Sequence, residues 1–573
     1  MKTKSSLRRA HAGSALALTM IMTAIALAIL ASAMSWSVNS TRLTHRSVQY
    51  TRAIAAAEAG TEKVVTRITR DFLTGGDKLV MDNAASYRLA VPTASDSSYW
   101  GDWEFNDASG QTGRTFVEAG NATNYVVLNS DYSGLRAFVS SYRVVSHARE
   151  TTAAQDVPAG VLQEVRLARI PVFQFALYSS SDMEISCGQP FRVTGRVHAN
   201  DRLFVEPDNA LTFQSDVTAV TSILFERHPL DTRGKPAGSA VYEHPELKKS
   251  PVSPMTLPIG TTNTPEAIRE IVQPPPAGED PDSPLGRLRY FNQVNMVLTV
   301  SDFGVTATSG RADGFATAVP TNQLAPIVTT TNSFRDAREG KTVRPVDINV
   351  GALADWSRTN GSLKSISSVY VLDKRTLPGT QLAAVRLRNG TTLPEKGLTV
   401  ATARPLYVLG NYNQTNAANL HTTNTATTRP ASLVADAVTL LSVNWDDARS
   451  TSDLDSRAAK PTTVNAAILT GVVETTKGKY SGGMENFPRF LEKWGSANTL
   501  TYNGSMVKMF PSQYATNVWG LANVYDPPKR NWAYDLNFND PAKLPPLTPS
   551  LLKVLRGQWA TVPPGQTAVA ANP

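Results

Sequence analysis

Cysteine, paired histidines and the short motifs of common enzyme chemistries are nearly absent from this chain of 573 residues. Cys187 is its one cysteine, so an intrachain disulfide and a CxxC metal site are excluded, and we expect a small buried hydrophobic residue there. The sequence has no Walker motif, no GxSxG elbow, no GxGxxG after a strand, and no HxH or HExxH pair among its seven histidines. We therefore expect no catalytic residue, no metal and no cofactor.

A basic stripe interleaved with aromatic residues is also missing. The formal charge is +8, but Lys2, Lys4, Arg8 and Arg9 supply four of these charges before the first apolar segment begins. The rest of the chain is close to balanced, so we predict no nucleic-acid partner.

A long apolar segment is present near the N-terminus. Residues 14–34 carry no charge, and as a helix about 21 residues span ~30 Å, the thickness of the hydrocarbon core of a bilayer. Trp36 suits the membrane interface, and the basic leader is expected on the cytoplasmic side. A signal peptide cut after Ala33, in a small-x-small site, stays an alternative.

The helical pattern continues beyond this span. Apolar residues recur every three or four positions from Val48 to Phe72, and the pair Gly75–Gly76 is a plausible helix stop. The sequence therefore predicts one helix of about 60 residues, half of it in the membrane and half projecting from it.

These residues resemble the N-terminal domain of PilX-type minor pilins, which are type IV pilus assembly proteins. The resemblance rests on the basic leader, "HAGSAL" (11–16), the apolar span, and "AAAEAG", which comprises Ala55, Ala56, Ala57, Glu58, Ala59 and Gly60. It implies that a prepilin peptidase cuts between Gly13 and Ser14, and that the helix then packs with other pilins. Leu18 stands at the fifth mature position, where most major pilins have glutamate, which fits a minor or tip component.

The rest of the chain is rich in β-branched residues and in turn-forming Gly, Pro and Asn, which predicts a mainly β fold after the long helix. Stretches such as "GRVHAN" and "PPKRNWAYDLNF", between Ile170 and Pro549, resemble the body of large, poorly characterised PilX-like proteins. We predict these regions: a basic leader at 1–13, a transmembrane helix at 14–36, a continuing amphipathic helix at 37–76, a small β region with a connector at 77–160, a β-rich body at 161–547 with a Pro-rich insertion at 231–285, and a C-terminal helix and tail at 548–573.

A loose repeat within the body suggests a parallel β-solenoid with insertions. Its marking residues Gly410, Asp436, Gly471 and Gly504 recur at roughly the interval of one solenoid coil, and each stands between apolar strand residues. Gly-centred strands also occur in β-sandwiches. Short helices are expected at 264–272, with Thr264 as the cap, at 486–494, and at 548–559, with Thr548 as the cap.

Three groups of side chains could carry chemistry, and each has a simpler structural interpretation. His198 in "GRVHAND" is expected to be a hydrogen-bonded corner residue. Asp446, Asp447, Asp453 and Asp455 lack the spacing of an EF-hand, so a solvated acidic loop is favoured over a calcium site. Glu485, Arg489 and Glu492 beside Tyr480 and Trp494 could act on glycosides, but a helix burying Phe487, Phe490, Leu491 and Trp494 and leaving both glutamates in solvent is favoured.

The sequence thus leads to a non-enzymatic minor pilin or pseudopilin-like protein, acting in pilus assembly, priming or surface display and adhesion. It would be a single-pass protein of the inner membrane, with its body in the periplasm or outside the cell in a filament. The expected partners are other pilins, the assembly machinery, the prepilin peptidase and the membrane. Two alternatives stay open: a membrane-anchored carbohydrate-active or carbohydrate-binding β-solenoid, and an envelope scaffold that stays at the inner membrane.

Overall fold

A helix of 71 residues begins the computed structural model, which describes residues 12–129, 131–153, 155–359, 363, 365–520 and 523–568. Residues 1–11, most of the basic leader, lie outside the described residues. Gly76 interrupts the long helix with a φ of 68°, and the helix then resumes to Asp82. The helices are α1 (Ala12–Asp82), α2 (Ala84–Tyr87), α3 (Pro265–Arg269), α4 (Pro284–Leu288), α5 (Tyr290–Gln293), α6 (Thr321–Leu324) and α7 (Val350–Thr359).

A mainly antiparallel sheet, here called the small sheet, packs against the second half of α1. Its two long central strands pair along most of their length, with Val144 opposite Gln163. Alternate side chains of these strands face the helix, where they join Ile68 and Phe72 in one core cluster. The first strands are β1 (Trp103–Asn106), β2 (Phe116–Ala119), β3 (Asn124–Val127), β4 (Arg136–Glu150) and β5 (Ala159–Pro171).

Short parallel strands follow in three sheets, here called the first stack (177–249). Leu177 pairs with Val197 and Val197 with Val217, so the first two circuits through the three sheets have the same length, whereas the third is longer because Val217 pairs with Lys248. The sheets have the orders β6-β9-β12-β15, β7-β10-β13 and β8-β11-β14. The strands are β6 (Leu177–Ser179), β7 (Met183–Ile185), β8 (Phe191–Val193), β9 (Val197–Ala199), β10 (Arg202–Val205), β11 (Ala210–Phe213), β12 (Val217–Ala219), β13 (Ser222–Leu224), β14 (Ser239–Tyr242) and β15 (Lys248–Lys249).

A second stack (296–534) begins at the far end of the body and returns to the first. Its strands are β16 (Met296–Ser301), β17 (Gly304–Ser309), β18 (Ala318–Val319), β19 (Val328–Thr329), β20 (Phe334–Asp336), β21 (Lys341–Asn349), β22 (Ser368–Asp373), β23 (Gln381–Arg388), β24 (Leu398–Ala401), β25 (Leu406–Leu409), β26 (Ala431–Ala435), β27 (Val438–Leu441), β28 (Thr462–Asn465), β29 (Ala467–Val472), β30 (Thr499–Gly504), β31 (Met506–Pro511) and β32 (Lys529–Tyr534). Antiparallel strands β17 and β18 form its outer edge.

The two stacks share one sheet of twelve strands because β31 pairs in parallel with β6. The inward side chains of both stacks form a single core cluster that includes Val217 and Leu433. A second cluster lies on the outer face of the shared sheet, where Ile271 covers Leu469. Residues 250–295, which connect the two stacks, therefore cover one face of the shared sheet and are not a free loop in solvent.

The last strand, β33 (Ser550–Val562), returns to the small sheet and pairs antiparallel with β5. The predicted C-terminal helix at 548–559 is therefore wrong. The predicted boundary at residue 161 is also wrong, because β5 belongs to the small sheet. The body leaves this sheet after Pro171 and returns to it at Ser550, and these two residues are paired.

Two other predicted elements differ from the structure. Residues 486–494 form no helix; a single 3₁₀ turn ends at Asn486, and the segment then crosses the core with isolated parallel bridges at Arg489 and Lys493. The Pro-rich insertion does not occupy all of 231–285, since β14 and β15 lie within it. The short helix capped by Thr264 is confirmed: its side chain accepts a hydrogen bond from the Ala267 N–H.

The mainly β fold with a long N-terminal helix is confirmed, whereas the repeat predicted from four small residues is not. Gly410 follows β25, Asp436 lies between β26 and β27, Gly471 lies inside β29, and Gly504 ends β30. The paired positions are instead Leu398 with Ala431, Ser432 with Ala467 and Ile468 with Met506, and the interval between partners lengthens along the chain. The solenoid-like description of the whole body stays a prediction.

Candidate functional site

The first part of α1 is exposed on every side. All residues from Ser14 to Val48, here called the exposed half, are solvent-accessible, including Leu18 at 64% and Trp36 at 74%. Among the described residues, α1 alone is long and apolar enough to cross a membrane, a test that a signal sequence also passes. Within the exposed half, residues 14–34 form an uncharged and mainly apolar surface that is unstable in water, and lipid or other apolar helices are the surroundings that suit it.

The polar groups of the exposed half are compatible with lipid. The hydroxyls of Thr19 and Thr23 donate to the carbonyls of Leu16 and Thr19 at 2.9 and 2.7 Å, so they need no water. No acidic residue occurs between Ser14 and Ala57. Residues 14–34 can therefore lie in an apolar medium without a charged side chain, whereas Arg42 and Arg46 place the end of the exposed half outside it.

The second part of α1, from Ala53 to Phe72, is here called the packed half because it contacts the small sheet. Small residues bring the helix and the sheet together: Ala56 and Ala57 are buried against Phe105. At Gly60 a β-carbon would lie only 2.3 Å from the Ser146 hydroxyl oxygen, so no larger residue fits without displacement. The position requires glycine because of close approach, not because of backbone conformation.

The residues of the family motif divide between sheet contact and solvent. Ala56, Ala57 and Gly60 are buried, Glu58 and Ala59 are half-buried, and Ala55 is exposed. Its small buried residues thus have an intramolecular explanation, which is packing against β4. The predicted cleavage positions Gly13 and Ser14 lie in the first turn of α1. No measurement bears on processing at this bond, which stays a prediction.

Charged and polar groups fix the packed half at both ends. Arg52 forms an ion pair with Glu150 at 2.7 Å, and Glu62 pairs with Arg556 of β33. Near the helix end, Asp71 accepts a hydrogen bond from the Tyr87 hydroxyl at 2.8 Å. Burial and this carboxylate raise the pKa of Tyr87 well above its usual value. The helix is therefore held in a single orientation on the sheet.

His198 and Cys187 have structural roles, as the sequence suggested. His198 is fully buried on β9, where Nδ1 lies 2.8 Å from the Thr218 hydroxyl and Nε2 lies 3.4 Å from Asn200 Oδ1. Burial lowers the pKa of His198 to about 4, so the ring is neutral at physiological pH. Cys187 is buried in the core of the first stack.

The acidic loop does not gather its carboxylates around a common point. Asp446 accepts from the Ala448 N–H, Asp453 accepts from the Ser456 N–H, Asp447 pairs with Arg386, and Asp455 pairs with Lys493. In the part of the chain that the structure describes, no three acidic, histidine or cysteine side chains are grouped to hold a metal ion. Each carboxylate is instead used locally.

The glutamates predicted to face solvent are buried, and this prediction is wrong. Glu485 accepts from the Ser186 N–H at 3.1 Å and from the Tyr480 hydroxyl at 3.3 Å, while Glu492 accepts from both the N–H and the hydroxyl of Ser442 at 2.6 Å. Burial raises the pKa of each to about 7. The two carboxyl groups therefore bind different residues of the protein and share no hydrogen-bond partner among the described residues.

The aromatic and cationic neighbours in this region are also buried. Arg489 forms an ion pair with Glu339 at 2.6 Å, and Trp494 is 1% exposed. Phe487, Phe490 and Leu491 are buried as expected, although no helix carries them. Burial therefore follows the predicted apolar pattern, whereas the predicted backbone conformation does not.

A cavity of about 490 Å³ beside Glu485 escaped the sequence analysis. Its walls come from residues near 186–189, 208, 233, 485–486, 519–520 and 523–530, and they include Trp519, Tyr525 and Arg530. No local motif joins these segments, since only the stacking of the first stack on the second brings them together. The stretch "PPKRNWAYDLNF", noticed for its resemblance, contains Arg530 and was the one available signal.

Comparison with known proteins finds little. No protein-family model matches the chain, and no curated protein matches it. Among solved structures, the chain is similar to the competence-associated pilin ComZ from Thermus thermophilus, at 10% identity and a TM-score of 0.28, over 90% of this chain and 97% of that one. A likeness at this level does not establish a common fold or family, and membership of the PilX type stays a prediction.

Proposed function

We propose that this protein is a non-enzymatic minor pilin or pseudopilin-like component of a type IV pilus system. The observation that carries the proposal is the division of α1 into an exposed apolar half and a half fixed to its own sheet. The packed half fixes the helix to its own domain, whereas the exposed half is not packed against that domain. The exposed half can therefore leave lipid and pack against other apolar helices without unfolding the domain. This is the mechanical requirement for assembly into a filament.

The proposed location is the inner membrane, crossed once by residues 14–36, with the β-rich body in the periplasm or on a filament outside the cell. Other pilins, the assembly machinery and the prepilin peptidase would be the partners. Leu18 leaves no carboxylate in the exposed half, which favours a minor role in assembly, priming, display or adhesion over that of a major subunit.

N-terminal sequencing of the mature protein tests the processing step. In cells with an active prepilin peptidase we expect the first residue to be Ser14, and the unprocessed chain to accumulate in cells lacking the enzyme. A Gly13→Val variant should also keep Met1. A mature protein that begins at Met1 in the presence of the peptidase, or at Met34 after signal cleavage, would refute the processing claim.

Shearing of surface filaments tests the location. We expect the protein to be recovered in the sheared fraction in small amounts relative to the major subunit. A variant with an arginine in the apolar span, Ile25→Arg, should be absent from that fraction because its helix cannot pack in an apolar fibre. Recovery of the native protein only in the inner-membrane fraction would instead favour an envelope scaffold.

A further inference from the structure

The cavity beside Glu485, with its volume of about 490 Å³, has the size and the walls of a ligand site. Pockets for small molecules occupy roughly 300–1,000 Å³ and combine aromatic surface with a few fixed polar groups. Two aromatic rings, those of Trp519 and Tyr525, line this cavity together with charged groups from both stacks. None of these residues contributes to the exposed half of α1, so the inference is independent of the proposed pilus function.

The two rings are held in place by a chain of hydrogen bonds. Trp519 Nε1 donates to the Tyr525 hydroxyl at 2.8 Å, and that hydroxyl donates to Asn486 Oδ1 at 2.9 Å. Trp519 also meets the ring of Tyr480 edge-to-face, with centroids 5.5 Å apart. A ring positioned in this way offers a fixed flat surface to a ligand at little cost in conformational entropy.

Arg530 supplies a positive charge that forms no ion pair with a described carboxylate, although the Glu485 carboxyl interacts with it electrostatically. Its guanidinium donates from Nε to the Glu485 carbonyl and from Nη2 to Asn486 Oδ1, both at 3.1 Å. Nη1 donates to no described residue, and no described carboxylate lies within 4.0 Å. Arg386, by contrast, is paired with two aspartates. An arginine in this state is suited to a carboxylate from outside the chain.

The other charged groups of the cavity already have partners. Asp208 accepts from Arg227 at 2.5 Å, and Arg233 pairs with Asp231 at 2.6 Å while lying 3.8 Å above the ring of Tyr480. The Glu485 carboxyl is held by Ser186 and Tyr480, as described above. Arg530 is therefore the group at which an added negative charge gains most.

We propose that this cavity binds an acidic saccharide, whose ring lies against Trp519 and Tyr525 and whose carboxylate pairs with Arg530. A pyranose ring presents a flat C–H face to an aromatic ring, and its hydroxyls can exchange hydrogen bonds with the polar groups of the cavity wall. An extended acidic peptide could meet Arg530, but it has no flat face for the aromatic wall. A uronate residue satisfies both features of the site.

Titration calorimetry on the full chain in lipid nanodiscs tests the proposal. The probes are tetragalacturonate and its fully methyl-esterified form, which keeps the rings and removes the charge. We expect the acid to bind at least 10-fold more tightly than the ester. Arg530→Gln should remove that difference, while Trp519→Ala should weaken both probes at least 5-fold.

Trp559→Ala is the matched control, because Trp559 is 46% exposed on β33 and does not line the cavity. It should leave both affinities unchanged. The urea midpoint shows whether Arg530→Gln folds. If it does not, the affinities of Trp519→Ala and the acid-to-ester affinity ratio of the native protein decide the question. Equal affinity for acid and ester, no binding of either, or equally tight binding of a tetraglutamate peptide would overturn the proposal.

Discussion

The exposed half of α1 and the interior of the β-rich body depart from the usual distribution of side chains in opposite directions. The helix presents apolar residues such as Leu16 and Ile29 to its surroundings, each more than 60% exposed. The body buries ionisable residues such as Glu206, Arg386 and Glu492, each at most 2% exposed. Soluble proteins rarely do either without compensation.

The compensation comes from different places in the two regions. Inside the body it comes from the chain itself, through ion pairs and hydrogen bonds fixed by the stacked strands. For the exposed half, no described residue covers the apolar side chains. Lipid or the helices of other proteins must therefore provide the compensation. The stability of the body should therefore be measurable separately from the membrane affinity of the helix, and four predictions test this separation.

The largest effect is expected from breaking a buried ion group in the body. Arg386 contacts Asp347 at 2.5 Å and Asp447 at 2.6 Å. Arg386→Ala leaves Asp347 buried without its main partner, and we expect the free energy of unfolding to fall by about 3–5 kcal/mol. Urea unfolding measures this loss. Arg192→Ala, at an exposed pair with Glu243, should cost under about 1 kcal/mol. Equal losses in the two variants would contradict the comparison.

A charge in the exposed half should act on the membrane and not on the body. Arginine at the centre of a spanning helix costs about 2.5–3.5 kcal/mol of insertion free energy. Ile25→Arg should therefore lower the fraction of protein retained in membranes after carbonate extraction and leave the urea midpoint of the body unchanged. Leu27→Ala is the conservative control. A shifted urea midpoint in the Ile25 variant would show that the two regions are coupled.

The packed half connects the exposed half to the β-rich body. A substitution at Gly60 tests how much its close packing on the small sheet contributes to stability. Gly60→Val forces atoms into the space of the Ser146 hydroxyl and Phe105, for which we expect a loss of about 1–3 kcal/mol. Hydrogen exchange of residues 53–72 should become faster. Ala55→Val places the same side chain on the exposed side of the helix and serves as the control. Equal exchange rates in both variants would show that close helix–sheet approach is unimportant.

The smallest effect, when compared over a single pH unit, is a dependence of the stability of the body on pH. The pKa of Glu492 is raised to about 7 by burial, so between about pH 4.5 and 7 the folded state holds a proton that the unfolded state has lost. Stability then falls as the pH rises, by up to about 1.4 kcal/mol per pH unit. Glu492→Gln should reduce the fall of the urea midpoint between pH 5 and 7, and Glu485, whose pKa is also raised to about 7, should account for a similar share of what remains.

Glu395→Gln is the control for this pH dependence because that side chain is exposed. It should keep the slope of the native protein. An unchanged slope in the Glu492 variant would mean that other buried carboxyls, such as Glu206, dominate the titration.

The sequence revealed the long helix because its signal is local. Apolar residues at helical spacing continue from Ser14 to Phe72, and no tertiary contact is needed to interpret them. Its end was less visible. Gly76 does break the helix, but Val80 is fully buried and binds the resumed segment to the small-sheet core. Packing therefore extends the helix beyond its stop signal.

Two predicted helices are wrong because an apolar pattern that is buried does not by itself determine the backbone conformation. Phe487 and Trp494 are buried, but they point into the core from a segment that carries isolated β-bridges. At 548–559, β5 offers an unpaired edge, and pairing with it stabilises a strand where the local sequence also allows a helix. The whole β-rich body separates β33 from this partner strand in the sequence, which places the pairing beyond the reach of any local pattern.

The candidate sites also depend on contacts between residues that are far apart in the sequence. His198 and Cys187 were predicted correctly because a buried histidine or cysteine needs only nearby partners. The burial of Glu485 and Glu492 depends on Ser186 and Ser442, which come from distant circuits of the stacks. The cavity beside Arg530 likewise exists only because the first stack lies on the second.

The return of β33 to the small sheet makes the β-rich body an insertion between two neighbouring strands of that sheet. Ser550 pairs with Pro171 across neighbouring antiparallel strands, so the two ends of the body lie side by side. A two-residue turn between them would join β5 to β33 as a hairpin, but it would also expose the face of the small sheet that carries Ala137, Ile170 and Leu551, because these side chains share a core cluster with the body. The body is therefore both an insertion in the chain and the cover of one face of the small sheet, while α1 covers the other face.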